Sequence, residues 1–233
     1  MTAQTLNFYM TPPHACSYLA DQEAMSMFAD PLLLDNTIYS QLAHYGFRRS
    51  GEHVYRPACR NCQACISVRI PVEQFSPHRR DRRCRKTNAD LHTRVGESGT
   101  EEQFELYRRY LAARHSGGGM DNPNYDNFTG FLTSLWSDTR FLEIRSRHAL
   151  LAVAVTDRLD DGLSAVYTFF DPDQTDRGLG NFAIMEQIEY TRSLGLEWLY
   201  LGYWIEKSPK MAYKRRFTPL QGYIRDHWET LES

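Results

Sequence analysis

The 233-residue chain has no run of 18 apolar residues, so none of it is read as a membrane span. Its first 16 residues lack the basic, apolar, small order of a secretory signal, and a cytosolic protein is expected. Internal repeats and low-complexity stretches are also missing, and the length suits one large or two small domains with a real core. Cysteine is scarce and odd in number: Cys16, Cys59, Cys62, Cys65 and Cys84. Disulfides are rare in a reducing compartment, so these are read as thiols or metal ligands rather than crosslinks. No His–Asp pattern surrounds any of them, which argues against an activated cysteine nucleophile.

Aromatic residues, by contrast, are plentiful at 13%, and charge is unevenly spread. The formal net charge is -2, yet residues 48–94 hold 12 Lys and Arg against 4 Asp and Glu, a local balance of +8 that is densest from His78 to Lys86. Such a basic segment either attracts phosphate backbones by counterion release or is a solvated charged face.

Periodicity predicts a helix over 35–45, capped by Asp35 or Asn36 and ended by Gly46, with Ile38, Leu42 and Tyr45 on one face. Residues 48–75 read as a small sheet with a cysteine-rich corner. Thr100 and Gln103 form a capping-box pattern that opens a helix to about His115, with Phe104, Tyr107 and Leu111 inward. Ser116 to Met120 reads as a flexible hinge or substrate loop, and 125–136 as another helix. Strands are expected over 141–146, 150–156, 164–170 and 198–203, with a helix over 181–194 stopped by Gly195. This order is that of an acetyltransferase-like (GNAT) α/β fold: a mixed sheet with helices on both faces over 98–233, preceded by a smaller cysteine-rich, basic α+β domain over 1–97.

The most informative loop is Arg177-Gly-Leu-Gly180, where a strand gives way to a helix. Amides at a helix start, approached closely because Gly178 and Gly180 have no side chain, make an anion site, although such turns also simply cap helices. Acetyltransferases carry R-x-x-G-x-G/A there for coenzyme A. Phe182 stands at the last small position, which argues against coenzyme A and leaves room for another phosphate, such as that near a tRNA 3′ end.

Several segments match one family. They are Cys16-Ser-Tyr-Leu19, Tyr39-x-x-Leu42 leading to Gly46-Phe-Arg-Arg-Ser-Gly51, and Tyr55-Arg-Pro-x-Cys-x-x-Cys-x-x-Cys65. Further on come Tyr167-x-Phe-x-Asp-Pro172, Leu199-Tyr-Leu-Gly-Tyr-Trp-Ile205 and Lys210-Met-x-Tyr-Lys-x-x-Phe-x-Pro219. From about residue 8 to 228 the chain resembles the aminoacyl-tRNA–protein transferases, and among them the bacterial aspartate/glutamate leucyltransferases. It departs from their pattern at Ala20, Gln22 and Gln221. The resemblance implies transfer of leucine from leucyl-tRNA to a protein N-terminal Asp or Glu, which creates a degradation signal. The implied partners are aminoacyl-tRNA and proteins with acidic N-termini, with no membrane involved.

That reaction is aminolysis of an already activated ester, so no cofactor is required for the chemistry. The enzyme must orient both substrates, keep the amine neutral, stabilise an oxyanion and protonate the departing ribose oxygen. An acidic acceptor needs a cation: Arg48, Arg49, Arg56 and Arg69 are candidates, with Lys210 and Lys214 read as i,i+4 neighbours on a helix. Each of these is also readable as a surface cation. Asp171 is the candidate to orient or deprotonate the amine, or is a turn opener. Tyr167, Tyr203 and Trp204 either stack on the terminal adenine or fill the core. Arg177, Gly178 and Gly180 are assigned to the anion loop.

The C-x-x-C-x-x-C run of Cys59, Cys62 and Cys65, with Cys16 as fourth ligand or Cys84 as second choice, is a candidate zinc or iron–sulfur site; inert thiols are the alternative. Three rival functions remain at this level. They are arginine as the donated residue, coenzyme A-dependent acetylation, and a non-catalytic metal-dependent nucleic-acid-binding module.

Overall fold

The computed structural model describes residues 5–114 and 123–232, so the expected Ser116–Met120 loop lies outside the described residues. The chain opens on β1 (Phe8–Met10), β2 (His14–Ala15), β3 (Glu23–Ala24) and β4 (Ser26–Ala29). Helix α1 (Asn36–His44) begins where the Asp35 carboxylate accepts a 2.7 Å hydrogen bond from the Ile38 amide. β5 (Arg48–Ser50) and β6 (His53–Pro57) pair together, and β6, β4 and β1 complete a four-stranded sheet.

β7 (Ile66–Pro71), α2 (Arg79–Thr87), β8 (His92–Gly96), α3 (Glu101–Arg114) and α4 (Tyr125–Leu132) follow. The capping box of α3 forms in full: Thr100 and Gln103 each accept, through the side chain, from the other's amide. β9 (Asp138–Arg145), β10 (Leu150–Arg158) and β11 (Gly162–Phe170) make an antiparallel meander. Helix α5 (Leu179–Ser193) then crosses to β12 (Trp198–Trp204), and β13 (Gln221–Ile224) and β14 (His227–Thr230) form a final hairpin.

One mixed sheet of eight strands, ordered β14-β13-β7-β12-β11-β10-β9-β8, organises the molecule. Alternation along its strands divides the core between two faces. Leu142, Ala152, Ala154 and Leu201 meet α5 through Phe182, Met185 and Ile188. Phe141, Val153, Val155 and Phe169 meet α3 and α4 through Tyr107, Leu111, Phe128 and Leu132. On that second face, farther along the sheet, α1 and β6 pack Tyr39, Leu42 and Val54 with Leu159 and Tyr200.

Four expectations need correction. Residues 48–75 are not one sheet: β5 and β6 lie in the four-stranded sheet, while β7 pairs with β12 and β13 in the large one. β7 is buried on both faces, so its side chains select an interior strand position. The division at residue 97 likewise does not divide the large sheet, since β7 and β8 both precede it. Helix α4 ends at Leu132 rather than 136, because the Thr133 backbone turns extended and its amide closes the last turn on the Thr129 carbonyl. Residues Ala212–Arg216 form a short 3-10 turn instead of an α-helix, so Lys210 and Lys214 do not share a face: Lys210 is exposed and Lys214 is buried.

Candidate active site

The parallel strands β11 and β12 pair only at Gly162–Trp198, Leu163–Leu199 and Ser164–Tyr200. Beyond Tyr200 they diverge. A bulge adds an extra residue to β11 opposite Val155 and Thr156, and another interrupts β12 against β7 between Tyr200 and Gly202. A splayed pair leaves strand carbonyls without a partner, and buried carbonyls need one. Two cations from other parts of the chain supply it. Arg48 donates to the Val166 carbonyl at 3.1 Å on the β11 side, and the Lys214 ammonium donates to the Tyr203 carbonyl at 2.5 Å on the β12 side. Gly202 makes room for this arrangement: at φ +70° it takes a left-handed backbone, and a Cβ there would lie 2.8 Å from the Arg48 guanidinium.

Lys214 is 4% exposed, and burial followed by the nearby Arg48 charge lowers its pKa to about 7. Tyr203 is anchored rather than free. Its hydroxyl is shared between the Gly46 and Tyr55 carbonyls at 3.2 and 3.0 Å, and burial drives its pKa well up. Around the wedge, three buried polar groups have no hydrogen-bond partner among the described residues: the Tyr167 hydroxyl, Trp204 Nε1 and Arg215 Nη1. Each neighbours a wedge residue in sequence. Tyr167 packs among Tyr107, Tyr110 and Phe131, and Arg215 lies 5.4 Å over the Trp204 ring.

The arginines chosen for carboxylate recognition separate clearly. Arg49 is not available to a substrate: it is fully buried, grips Asp157 through two hydrogen bonds of 2.6 and 2.8 Å, and also holds the Leu132 carbonyl. Arg69 is stacked 3.5 Å over Trp198 and 4.2 Å over Trp228, with Gln221 accepting its Nε–H. Arg48 and Arg56 remain, neither forming an ion pair among the described residues. Arg56 lies over Phe47 and donates to the Tyr45 carbonyl.

Arg56 also lines a cavity of about 550 Å³ between the four-stranded sheet and the β13–β14 hairpin, with Tyr203 and Tyr55 in its wall. Cys16, Cys59, Cys62 and Cys65 line the same cavity. Burial and then the neighbouring Cys59, Cys16 and Cys62 thiols push the Cys65 thiol up to about 12. Among the described residues no three His, Cys, Asp or Glu side chains are grouped to hold a metal ion. Cys84 is elsewhere, on α2, donating to the Arg177 and Gly178 carbonyls.

Asp171 closes β11 but is not a free base: Arg109 pairs with it at 2.7 Å and the Asp173 amide donates to it. Arg177 is held by Asp90 at 2.8 and 3.0 Å, which occupies the guanidinium. Gly178, at φ +61°, starts α5, whose first turn has no side-chain cap, and Gly180 faces the Phe170 ring. Arg216 reaches the first turn of α5 through Asn181 at 3.3 Å. Tyr18 and Tyr55, which both line the cavity, and Arg109 and Arg215 are not among the residues that sequence reasoning singles out. Tyr18 and Tyr55 lay inside two matched motifs, and that was the available signal.

Two family models match: Arginine-tRNA-protein transferase, N terminus, over residues 14–83, and Arginine-tRNA-protein transferase, C terminus, over residues 102–224. The chain belongs to the arginine-tRNA–protein transferase family. Relatives named aspartate/glutamate leucyltransferase include those of Teredinibacter turnerae (51% identity over 97% of this chain and 95% of that one), Saccharophagus degradans (46%, 97% of each) and Pseudomonas aeruginosa (48%, 97% of each). Among solved structures, the C-terminal domain of a putative lysylphosphatidylglycerol synthetase from Agrobacterium fabrum is similar at TM-score 0.46 and 14% identity, covering 62% of this chain and 47% of that one. The family's transferase chemistry thus belongs to a chain whose described helices include none long and apolar enough to cross a membrane.

Proposed function

We propose that this transferase moves leucine from leucyl-tRNA to the α-amine of a protein that begins with Asp or Glu. The observation that carries the reading is about half identity, over nearly the full length, to several proteins named aspartate/glutamate leucyltransferase. The splayed β11–β12 pair, the crossover helix and its glycine-bearing start support an acetyltransferase-like catalytic half, with the acyl ester in the wedge and tRNA phosphate near the start of α5. The acceptor N-terminus occupies the 550 Å³ cavity, where Arg56 pairs with its carboxylate side chain.

In the wedge, the acceptor nitrogen attacks the ester carbonyl carbon and a C–N bond forms. Arg48 offsets charge on the oxyanion. Lys214, whose pKa burial and the Arg48 charge lower to about 7, keeps one N–H on the Tyr203 carbonyl and accepts the proton that the attacking nitrogen loses. The C–O bond to ribose then breaks and that proton passes to the departing oxygen. No proton is consumed and no cofactor takes part.

The test is mass spectrometry of Asp- and Glu-starting peptides incubated with leucyl-tRNA or arginyl-tRNA. Addition of one leucine is expected, with none for a Gly-starting control. Addition of arginine alone would overturn the donor, and acetylation from coenzyme A without tRNA would overturn the reaction class.

A further inference from the structure

Helix α2 carries a charge pattern that its own stability does not explain. Arg79, Arg82, Arg83 and Lys86 fall at i, i+3, i+4 and i+7, all exposed, forming one outward cationic stripe. Like charges four residues apart on a helix are destabilising, so the Arg79–Arg83 and Arg82–Lys86 pairs work against the helix. Neighbouring cations on the inner side are neutralised, Arg85 by Glu189 and Arg177 by Asp90. Along the stripe, Arg79 and Arg83 form no ion pair or side-chain hydrogen bond with any described residue, and Arg82 meets only the Pro77 carbonyl. Arg80 has a loose 3.8 Å contact with the buried, helix-capping Asp81. His78, Arg79, Arg80 and Arg83 together line an open groove of about 830 Å³.

The stripe connects to the wedge. Arg80 donates to the Arg216 carbonyl at 2.5 Å, and Arg216 donates to Asn181 in the first turn of α5. The adjacent Arg215 covers Trp204 at the end of β12. We infer that this face, from α2 through Arg215 and Arg216, is where the duplex acceptor arm of the donor tRNA lies, held by its phosphates while its 3′ end enters the β11–β12 wedge. The inference rests on the proposed function for the identity of the RNA. Its physical content is a sequence-independent phosphate track: unpaired guanidinium groups on one helix face, leading to an anion-friendly helix start.

The experiment compares wild type, R79E/R83E, the milder R79Q/R83Q, and R147E/R158E. The last makes an equal charge change at exposed positions away from α2. Fluorescence anisotropy with uncharged tRNA, titrated over a range of salt, reads binding without any need for transfer. For R79E/R83E, affinity is expected to fall about 10-fold or more at 0.1 M salt, and the slope of log Kd on log salt to become shallower by about 2. R79Q/R83Q should fall between it and wild type, and R147E/R158E should stay within about two-fold.

Relative to transfer from a leucyl ester of a 3′-terminal adenosine, which has no duplex, transfer from leucyl-tRNA should drop by the same factor in R79E/R83E. Unchanged tRNA binding in R79E/R83E, or an equal loss in R147E/R158E, overturns the assignment while leaving leucyl transfer intact. Retention of an acidic polypeptide in place of tRNA also overturns it. If wild type binds tRNA through α2 yet never transfers leucine, the surface stands and the proposed reaction falls.

Discussion

Burying an ammonium group costs several kcal/mol unless it sheds its proton or finds a partner, and Lys214 shows both responses. It holds the Tyr203 carbonyl, and its pKa is lowered to about 7 by burial and by Arg48. Unfolded, the same side chain titrates near about 10.4. Between those values the unfolded chain binds more protons, so this group makes stability rise with pH from about 7 to about 10.4 and contributes no slope below. Denaturant midpoints measured across that window should rise with pH in wild type and lose this part of the rise in Lys214→Met. The same variant should lower kcat by about 10²-fold or more, the usual worth of a positioned base. A variant with wild-type kcat at pH 8 would remove Lys214 from proton transfer.

Arg56 is a second test at this scale. Arg56→Gln should raise KM for a Glu-starting peptide by about 10-fold or more with kcat little changed, the loss of a charge-assisted hydrogen bond, and steady-state kinetics would read it. Arg48, Arg49, Arg56 and Arg69 looked alike in the sequence. What separates them is a partner 108 residues away for Arg49 and an indole pair for Arg69, neither of which local pattern reveals.

Among the elements, β12 is the one whose details matter to the wedge. Its bulge and the left-handed Gly202 give Arg48 its place. Gly202→Ala combines an unfavourable φ with a Cβ 2.8 Å from the guanidinium. It should destabilise the protein by about 1–3 kcal/mol and reduce transfer beyond the loss of folded protein, as judged by activity per folded molecule. Elements with strong local signals, namely the Asp35-capped α1, the Thr100–Gln103 capping box of α3 and the meander from β9 to β11, were readable from spacing and caps. β7 was readable as a strand but not as an interior one, because its alternation says nothing about which sheet it joins. The Lys210–Lys214 segment carried a helical spacing, yet what holds it is Lys214 reaching inward to Tyr203, a tertiary contact.

For the whole molecule, the sequence changes character near residue 97, but β7 lies between β12 and β13, and β8 closes the far edge beside β9. A fragment of residues 98–233 would lack β7 and would expose the edges of β12 and β13. It should aggregate or stay unfolded on its own, whereas the intact chain should unfold in one cooperative transition by both far-ultraviolet circular dichroism and tryptophan fluorescence. A soluble fragment with a sharp melt of its own would show that the two parts are separable.

By itself the sequence determined the local elements, the cationic character of residues 48–94 and, through six ordered motifs, the family. Each of these follows from neighbours within a few residues or from a pattern kept in order along the chain. The tertiary structure alone decided which cations are held in ion pairs or indole stacks, that the four clustered cysteines line one cavity, and that the carbonyls of the two diverging strands are held by Arg48 and Lys214. The physical reason is common to all three. Desolvation and ion pairing depend on what lies opposite a side chain in space, and here those partners come from segments far apart in the chain.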